Sequence, residues 1–590
     1  MSKWMVMAKR ADFKAIAEKY GIDQVTARLL RNRDVIGDEA VETWLHGTIE
    51  DIRDPHEIGE IDKAADIIAA SIRAGERIRI IGDYDVDGIC STYILYRGLL
   101  AAGAKTPDYM LPDRISDGYG LNENLIRRAA EDSIDLILTC DNGIRAIDEI
   151  TLANELGIRV VVTDHHESKK DADGREILPD AAAVVDPKKE GDPCTFSSIC
   201  GAVVAYKFLQ VLFERIPVAE ADALFEEFLV FAAFATNCDV MPLVDENRIL
   251  MKEGLRRIAA CPNKGLLALI RSCRLDPQAL RASDFGFYLG PKLNATGRLS
   301  TAAKALELLM AQTEEDAVRI AGDLDALNEE RKELEARGGD KANAVYEEKG
   351  YDRDKILVIY LPDIHESLAG IIAGRIRERY DKPAIILTDA AEEGLVKGSG
   401  RSVPQYDMYA GLSATEDLFL RFGGHEQAAG LTLKKEHIDT LRSRLNADCT
   451  LSETDLEQTL RIDMEMPMSY ATEELARQFE ILEPCGKGNP RPLFAARDML
   501  LLNGRIIGRN HNVGKYQVAD AAGRKYDIIC FKGLERFNDF LRDKFGADGL
   551  NDIYDGYRPK NEYRFHMAYH VGINVYQGRE SLQFELRDYL

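Results

Sequence analysis

An α/β fold of several domains, built around a parallel sheet, is what this chain predicts, and three observations predict it. Its 590 residues are more than one hydrophobic core serves, so three or four domains are expected. From Arg77 onward, short apolar runs alternate with helical stretches: Ile78 to Ile81, Asp135 to Thr139, Val160 to Thr163 and Ala182 to Val185. Strands alternating with helices imply a parallel sheet. The first three runs each end in a polar cluster, and ligands of open parallel sheets bind at the carboxyl ends of the strands.

The elements follow in order. Residues 1–70 read as short helices, with helical apolar spacing from Phe13 to Tyr20 and again from Ala64 to Ile72. The parallel α/β unit spans 71–300. A helical stretch from about Glu314 to Glu348 fills 301–350, and Gly338-Gly339 should weaken or bend it. A second α/β unit spans 351–450, with strands at Ile356 to Tyr360 and Pro383 to Leu387. The last segment, 451–590, is strand-like. From Pro484 onward it carries 17 Lys+Arg against 13 Asp+Glu, while the whole chain has a net charge of −24. That overall charge argues against bulk, non-specific coating of nucleic acid. The same basic stretch holds 15 of the 45 aromatic residues. Two readings fit: stacking platforms for a single strand, or the core of a β-barrel.

There is no apolar run of about 18 residues, so no transmembrane helix is expected. Met1-Ser2-Lys3-Trp4 lacks a signal-peptide pattern. Ten scattered cysteines read as reduced intracellular thiols.

The chemistry concentrates in Gly82-Asp83-Tyr84-Asp85-Val86-Asp87-Gly88. On an extended chain the alternation sets the three carboxylates on one side, where they repel unless a cation sits among them. A calcium loop of EF-hand type would need Glu at its twelfth position, where this chain has Ile94. Asp141-Asn142-Gly143 and Asp164-His165-His166 end the next two runs. Adjacent histidines alone are often surface residues, but three clusters at three strand ends should converge. Carboxylates with imidazoles and no thiolate suit Mn2+ or Mg2+. Two such ions about 4 Å apart stabilise both attacking and leaving oxygens in phosphoryl transfer and make hydroxide near neutral pH. Asp239, before Val240-Met241-Pro242, reads by itself as a ligand or as a turn residue.

A second group is rich in glycine and arginine. Pro291 to Arg298 is read as a loop before a helix, Gly398 to Ser402 as a loop after a strand, and Gly423 to Gly430 as a further glycine loop. Glycines let backbone amides approach an anion, and arginine pairs bidentately with phosphate. Together the loops suggest a phosphate clamp facing the metal site.

The ordered set resembles the RecJ family, bacterial single-strand-specific 5′→3′ exonucleases of the DHH phosphoesterase superfamily. The resemblance runs from Leu29-Leu30-Arg31-Asn32-Arg33 through the acidic clusters, Leu111 to Arg114, Gly118 to Gly120, Cys200 to Ala202, Asp239 and the glycine segments. It ends at Pro484-Cys485-Gly486-Lys487-Gly488-Asn489-Pro490, which resembles the entry to that family's OB-fold. It implies a parallel-sheet DHH domain, a long connecting helix, an α/β DHH-associated domain and a carboxyl-terminal OB-fold β-barrel. It implies two divalent cations, Mn2+ or Mg2+. Asp85 and Asp87 would bind them, Asp141 would bridge them, and His165 and Asp239 would complete the second position. Asp83 and Asp164 would be alternate ligands or would orient the others. His166 would face the nucleophile or the scissile phosphate, with Arg401 and His425 also at the reaction. Arg114, Asn294, Arg298, Ser399, Arg401 and Ser402 would hold substrate phosphates.

The implied activity is two-metal hydrolysis of single-stranded DNA to 5′-mononucleotides in recombination and repair. A helicase and a single-strand-binding protein are the implied partners of a cytoplasmic monomer that binds no membrane. The rival readings are a phosphodiesterase acting on nano-RNA or cyclic dinucleotides, a pyrophosphatase, and a non-catalytic replication scaffold. Two positions depart from the family pattern. Asn237-Cys238 puts a thiol beside a ligand, and Gly338-Gly339 interrupts the connecting helix.

Overall fold

The structure is a computed structural model. It describes residues 3–114, 117–171, 173–457, 459–508, 510–555, 561–576 and 578–590, so the first two residues of the amino-terminal pattern lie outside the described ones. The chain divides into two compact units, Thr48–Leu456 and a second made of Met1–Gly47 with Glu457–Leu590. The segment 1–70 is therefore not one body. Its first 47 residues group with the carboxyl-terminal segment and the rest with the central unit.

The central unit opens with a five-stranded parallel sheet. In spatial order the strands are Asp108–Met110, Ile78–Ile81, Leu136–Cys140, Arg159–Thr163 and Ala183–Val185. The Ile78–Ile81 and Leu136–Cys140 strands are buried throughout, as expected where helices cover both faces. Helices Val86–Ala101, Gly201–Arg215 and Ala221–Cys238 pack into the larger core. Helices Glu123–Glu131 and Ile147–Glu155 pack on the other face. All strand carboxyl ends therefore point to one edge.

Helix Glu314–Lys349 runs unbroken for 36 residues, about 54 Å at 1.5 Å per residue. Thr313 caps its start and Gly350, in the left-handed region, ends it. The expected bend at Gly338-Gly339 does not occur. A Cβ at Gly338 would lie 2.4 Å from Ile372 Cδ1, so the missing side chain admits helix Ala369–Tyr380 rather than loosening the turn. Tertiary packing outweighs the propensity cost of glycine, about 1 kcal/mol.

The second sheet has the order Phe419–His425, Ala428–Lys434, Leu395–Arg401, Ala384–Asp389 and Leu357–Tyr360. Only the last pair is parallel. One face, with Val358, Ile385, Leu387, Val396, Leu431 and Leu433, is buried in an apolar core. The opposite face is covered by helix Ala369–Tyr380 over Leu357, Ile359, Ala384 and Ile386.

In the terminal unit, strands Phe494–Ile507, Val513–Ala519, Lys525–Cys530, Arg579–Tyr589 and Tyr563–Tyr576 pair in sequence, and the last pairs with the first to close a barrel. Phe494, Tyr516, Phe537, Phe565 and Tyr569 are among its fully buried side chains. The aromatic enrichment is thus largely barrel core, which decides between the two readings of it. Strand Lys3–Val6, unforeseen in the sequence, pairs in parallel with Thr459–Ile462.

Arg33 locks this unit. Its side chain is 2% exposed. Its Nε donates to Asn489 Oδ1 at 2.7 Å and its Nη1 to the Leu29 carbonyl at 2.9 Å, and it also reaches Asp463 and the Pro490 carbonyl. Removing one partner of a buried ion pair costs about 3–5 kcal/mol. Arg33→Ala should therefore lower the urea midpoint of this unit. Both tryptophans, Trp4 and Trp44, lie within it, so their fluorescence reads it selectively. An unmoved midpoint would show that the pair contributes nothing.

Candidate metal centre and substrate cleft

The site grows from four strand ends. After Ile78–Ile81 the chain turns directly into helix Val86–Ala101, so the three aspartates are not on an extended segment as expected. Asp85 is the N-cap, accepting from the Asp87 and Gly88 amides at 2.9 and 3.2 Å, and Asp87 sits in the first helical turn. A capping carboxylate captures orphan amides, which is why the alternation gives way to a helix here. Gly88 is obligatory, since a Cβ would meet the Asp83 backbone at 2.5 Å. Asp87 accepts from the Gly201 and Ala202 amides at 2.6 and 2.8 Å, at the start of helix Gly201–Arg215.

Asp141 follows the Leu136–Cys140 strand with a left-handed φ of 60°. Its neighbour Asn142 ties two strand ends together, donating to the Ile81 and Cys140 carbonyls. Asp164 ends the Arg159–Thr163 strand and accepts from the amides of Ile144 and His165 and from His166 Nδ1, the last at 2.8 Å. His165 Nε2 lies 3.0 Å from Asp141, 3.5 Å from Asp87 and 3.7 Å from Asp239. Asp239 is the C-cap of helix Ala221–Cys238.

Three sets of potential ligand atoms result: Asp83–Asp85–Asp141, Asp87–His165–Asp239 and Asp141–His165–His166, each within 4.8 Å. Asp141 belongs to two of them. The electrostatics fit a cation. Asp83 Oδ2 and Asp239 Oδ2 are buried without a hydrogen-bond partner. Burial, then the neighbouring Asp85, pushes Asp87 up to about 6. Burial and the other aspartates push Asp239 up to about 8 and Asp141 well above the usual carboxylate range. Burial, joined by the charge of His166, holds His165 down at about 3, a neutral imidazole fit to ligate. Burial opposes the charge on His166, but Asp164 outweighs it and lifts His166 to about 9. Asp164 stays near 2, because the charge and hydrogen bond of His166 outweigh its burial.

The arginine cluster lies in the same unit. Arg114 stacks on the Tyr84 ring at 4.6 Å, and Tyr84 meets Tyr119 edge-on at 6.2 Å. Arg298 donates to the Ser367 carbonyl at 2.8 Å, and the Ser367 hydroxyl donates to the Arg298 carbonyl at 3.0 Å. Burial and then the charge of Arg114 lower Arg298 to about 9, and the same two causes lower Arg401. Crowded guanidinium groups of this kind are relieved by an anion. A cleft of 460 Å³ opens between Tyr84, Arg114 and Tyr119 on one wall and the second sheet on the other.

Three loop readings are corrected. Pro291 to Arg298 lies inside helix Gly290–Leu299, where Pro291 suits the first turn and Gly297 lets the helix approach the Tyr84 carbonyl. Gly398 to Arg401 is strand, and Gly423 to Gly430 is a hairpin with Glu426-Gln427 at its turn. Ser402 is buried and its hydroxyl donates to the Tyr406 carbonyl, so it does not point at the cleft. His425 is exposed, and its Nδ1 accepts from the Gln427 amide. Asn294 is half-buried on helix Gly290–Leu299.

The sequence reading missed two groups. The Tyr119 hydroxyl donates to the Asp141 carbonyl at 3.0 Å and lies 3.1 Å from His166 Nε2. Asp186 closes the fourth strand end, fully buried, with Oδ2 unpartnered. Val184-Val185-Asp186 repeats the apolar-run-then-Asp signal at the end of the fourth run.

Family profiles match in chain order: the DHH family, N-terminal domain, over 77–235, the DHHA1 domain over 353–450, and the RecJ OB domain over 462–588. The single-stranded-DNA-specific exonuclease RecJ of Salmonella typhimurium is 32% identical over 557 residues, 90% of each chain. The chain belongs to the RecJ family. RecJ of Bacillus subtilis is 35% identical over 90% of this chain, which spans 66% of that longer protein. RecJ of Thermus thermophilus in complex with Mn2+ superposes with a TM-score of 0.81 at 26% identity, covering 100% of this chain and 79% of that one. A second structure of RecJ from the same organism is a complex with Mg2+. None of the ten cysteines forms a disulfide. No helix among the described residues is long and apolar enough to cross a membrane.

Proposed function

We propose that this chain is a single-stranded-DNA-specific exonuclease that hydrolyses from the 5′ end and releases 5′-mononucleotides. The observation that carries this reading is the meeting of five aspartates and two histidines at the carboxyl edge of the parallel sheet, in the same compact unit as the cluster of Arg114, Arg298 and Arg401. Asp83, Asp85, Asp87, Asp141, His165 and Asp239 would hold two divalent cations, Mn2+ or Mg2+. When bound, such cations supply Lewis-acid stabilisation and a nucleophile from water at neutral pH.

The side chains do the rest. Asp164 keeps His166 oriented and protonated, so that its ring presents positive charge toward a scissile phosphate. The Tyr119 hydroxyl, 3.2 and 3.1 Å from the two ring nitrogens of His166, helps to hold the ring in place. Arg114, Arg298, Ser399 and Arg401 bind phosphates, with His425 and Asn294 at the margin. The domain limits read from the sequence for 71–300, 301–350, 351–450 and 451–590 belong to the same proposal. So do a cytoplasmic monomer and partnership with a helicase and a single-strand-binding protein in recombination and repair.

The test uses an internally labelled oligonucleotide blocked at either end, with Mn2+. Degradation should stop only with the 5′ block, and a duplex should survive. Cleavage confined to fragments of two to five nucleotides would overturn the substrate assignment.

The crowded carboxylates give a second expected result. Mn2+ at about 100 times its Kd should stabilise the protein by about 2.7 kcal/mol, read as a rise in Tm. The rise should shrink strongly in Asp141→Asn. An equal rise in both proteins would place the metal elsewhere.

A further inference from the structure

The second sheet extends beyond the helix that covers it, and its outermost row carries groups that the reaction described so far does not use. Cross-strand partners share a face, and residues two apart along a strand repeat it. The register pairs Lys397 with Thr432 and Thr432 with Arg421. The next row is Ser399, Gly430 and Gly423, and the one after is Arg401, Ala428 and His425. These nine residues lie on one face, while Val396, Ala429, Leu431 and Leu433 between them are buried on the other.

These three rows thus carry no large apolar side chain, and the bulge before Arg421 leaves Leu420 exposed beside them. Its middle is flat, with nothing within 4 Å of where a Cβ of Gly423 or Gly430 would stand. Lys397, Arg421 and Thr432 all line the 460 Å³ cleft, opposite Tyr84, Arg114 and Tyr119. Lys397 is balanced by Glu366 at 3.0 Å. Arg421 is exposed, and no acidic partner faces it among the described residues.

We propose that Arg421, in one row with Lys397 and Thr432, is a second phosphate subsite for single-stranded DNA. It lies one register step, about 6.6 Å, from the row of Ser399. The strand would run over the glycine floor with successive phosphates on successive rows. Resting on the proposed nuclease function, this makes Arg421 a determinant of substrate length. A 5′-phosphorylated dinucleotide has two phosphates, the terminal one for Arg114 and Arg298 and the scissile one for the Ser399 row, so none is left for the Arg421 row, whereas a longer strand supplies a third.

The experiment compares full-length wild type with Arg421→Ala and Arg421→Lys, on a 5′-phosphorylated dinucleotide and on a 20-nucleotide strand with Mn2+. Arg421→Ala should lower the preference in kcat/KM for the long strand over the dinucleotide about tenfold, through KM. It should also reduce the salt slope of strand binding by about one. Arg421→Lys should recover most of both. An unchanged preference and slope would overturn the subsite, as would an equal loss on both substrates, which would place Arg421 at the scissile phosphate. A wild-type enzyme that cleaves neither substrate would instead overturn the nuclease reading itself.

Discussion

Replacing Asp141 by alanine is expected to reduce strand cleavage by about a thousandfold or more, while single-stranded DNA still binds. Asp141 belongs to two of the three sets of converging ligand atoms, and its Oδ1 lies 3.0 Å from His165 Nε2. Its loss should therefore disturb two of these sets at once, whereas the loss of Asp85 or Asp239 disturbs one set each. The arginines proposed to bind phosphates lie on other elements and should remain in place. The left-handed φ of 60° complicates the alanine variant, because a non-glycine residue there is strained. Asparagine tolerates that region and keeps the shape, so Asp141→Asn isolates the charge. Initial rates on a labelled strand, with binding by anisotropy, check the prediction. Cleavage within tenfold of wild type in Asp141→Asn would sink the bridging role.

The second large effect concerns the terminal unit. A chain reduced to residues 48–456 should still hydrolyse strands of five nucleotides within about threefold of the full chain. Its affinity for strands of thirty should fall by at least about 2 kcal/mol, or thirtyfold, as phosphate and base contacts are lost. Cutting only at Pro484 would be a poorer test. It would leave Thr459–Ile462 paired with Lys3–Val6 but would strip Met464–Glu465 of its partner Phe494–Ile507. Circular dichroism should show that the reduced chain stays folded. Equal loss on short and long strands would remove the barrel from substrate binding.

Much of the catalytic sheet was legible because strands buried on both faces read as continuous apolar runs. Three of the four strand-end clusters announced themselves by the abrupt change to Asp and His. Local chemistry hid other features. Asp83, Asp85 and Asp87 look like strand alternation until Asp85 is seen capturing two helix amides. Gly398, Gly400, Gly423 and Gly424 look like loops, because glycine ordinarily marks turns. Gly398 and Gly424 instead sit in strands where a Cβ would collide with the neighbouring backbone, at 2.6 Å from the Ile386 carbonyl and 2.3 Å from the Ala428 carbonyl. The aromatic stretch was ambiguous because stacking platforms and barrel cores draw on the same residues. The pairing of Lys3–Val6 with a strand more than 450 residues away leaves no local trace in either segment.

That distant pairing bears on how the protein is made. A ribosome delivers the chain from its amino end, so Lys3–Val6 waits for its partner strand until the central unit has been synthesised. The catalytic unit, whose contacts close within its own span, can fold and acquire its metal pocket in that interval. The barrel is closed only once Arg579–Tyr589 can pair, well after the central unit has been made. The order of synthesis thus yields a nearly finished hydrolytic site before the module proposed to grip long DNA exists.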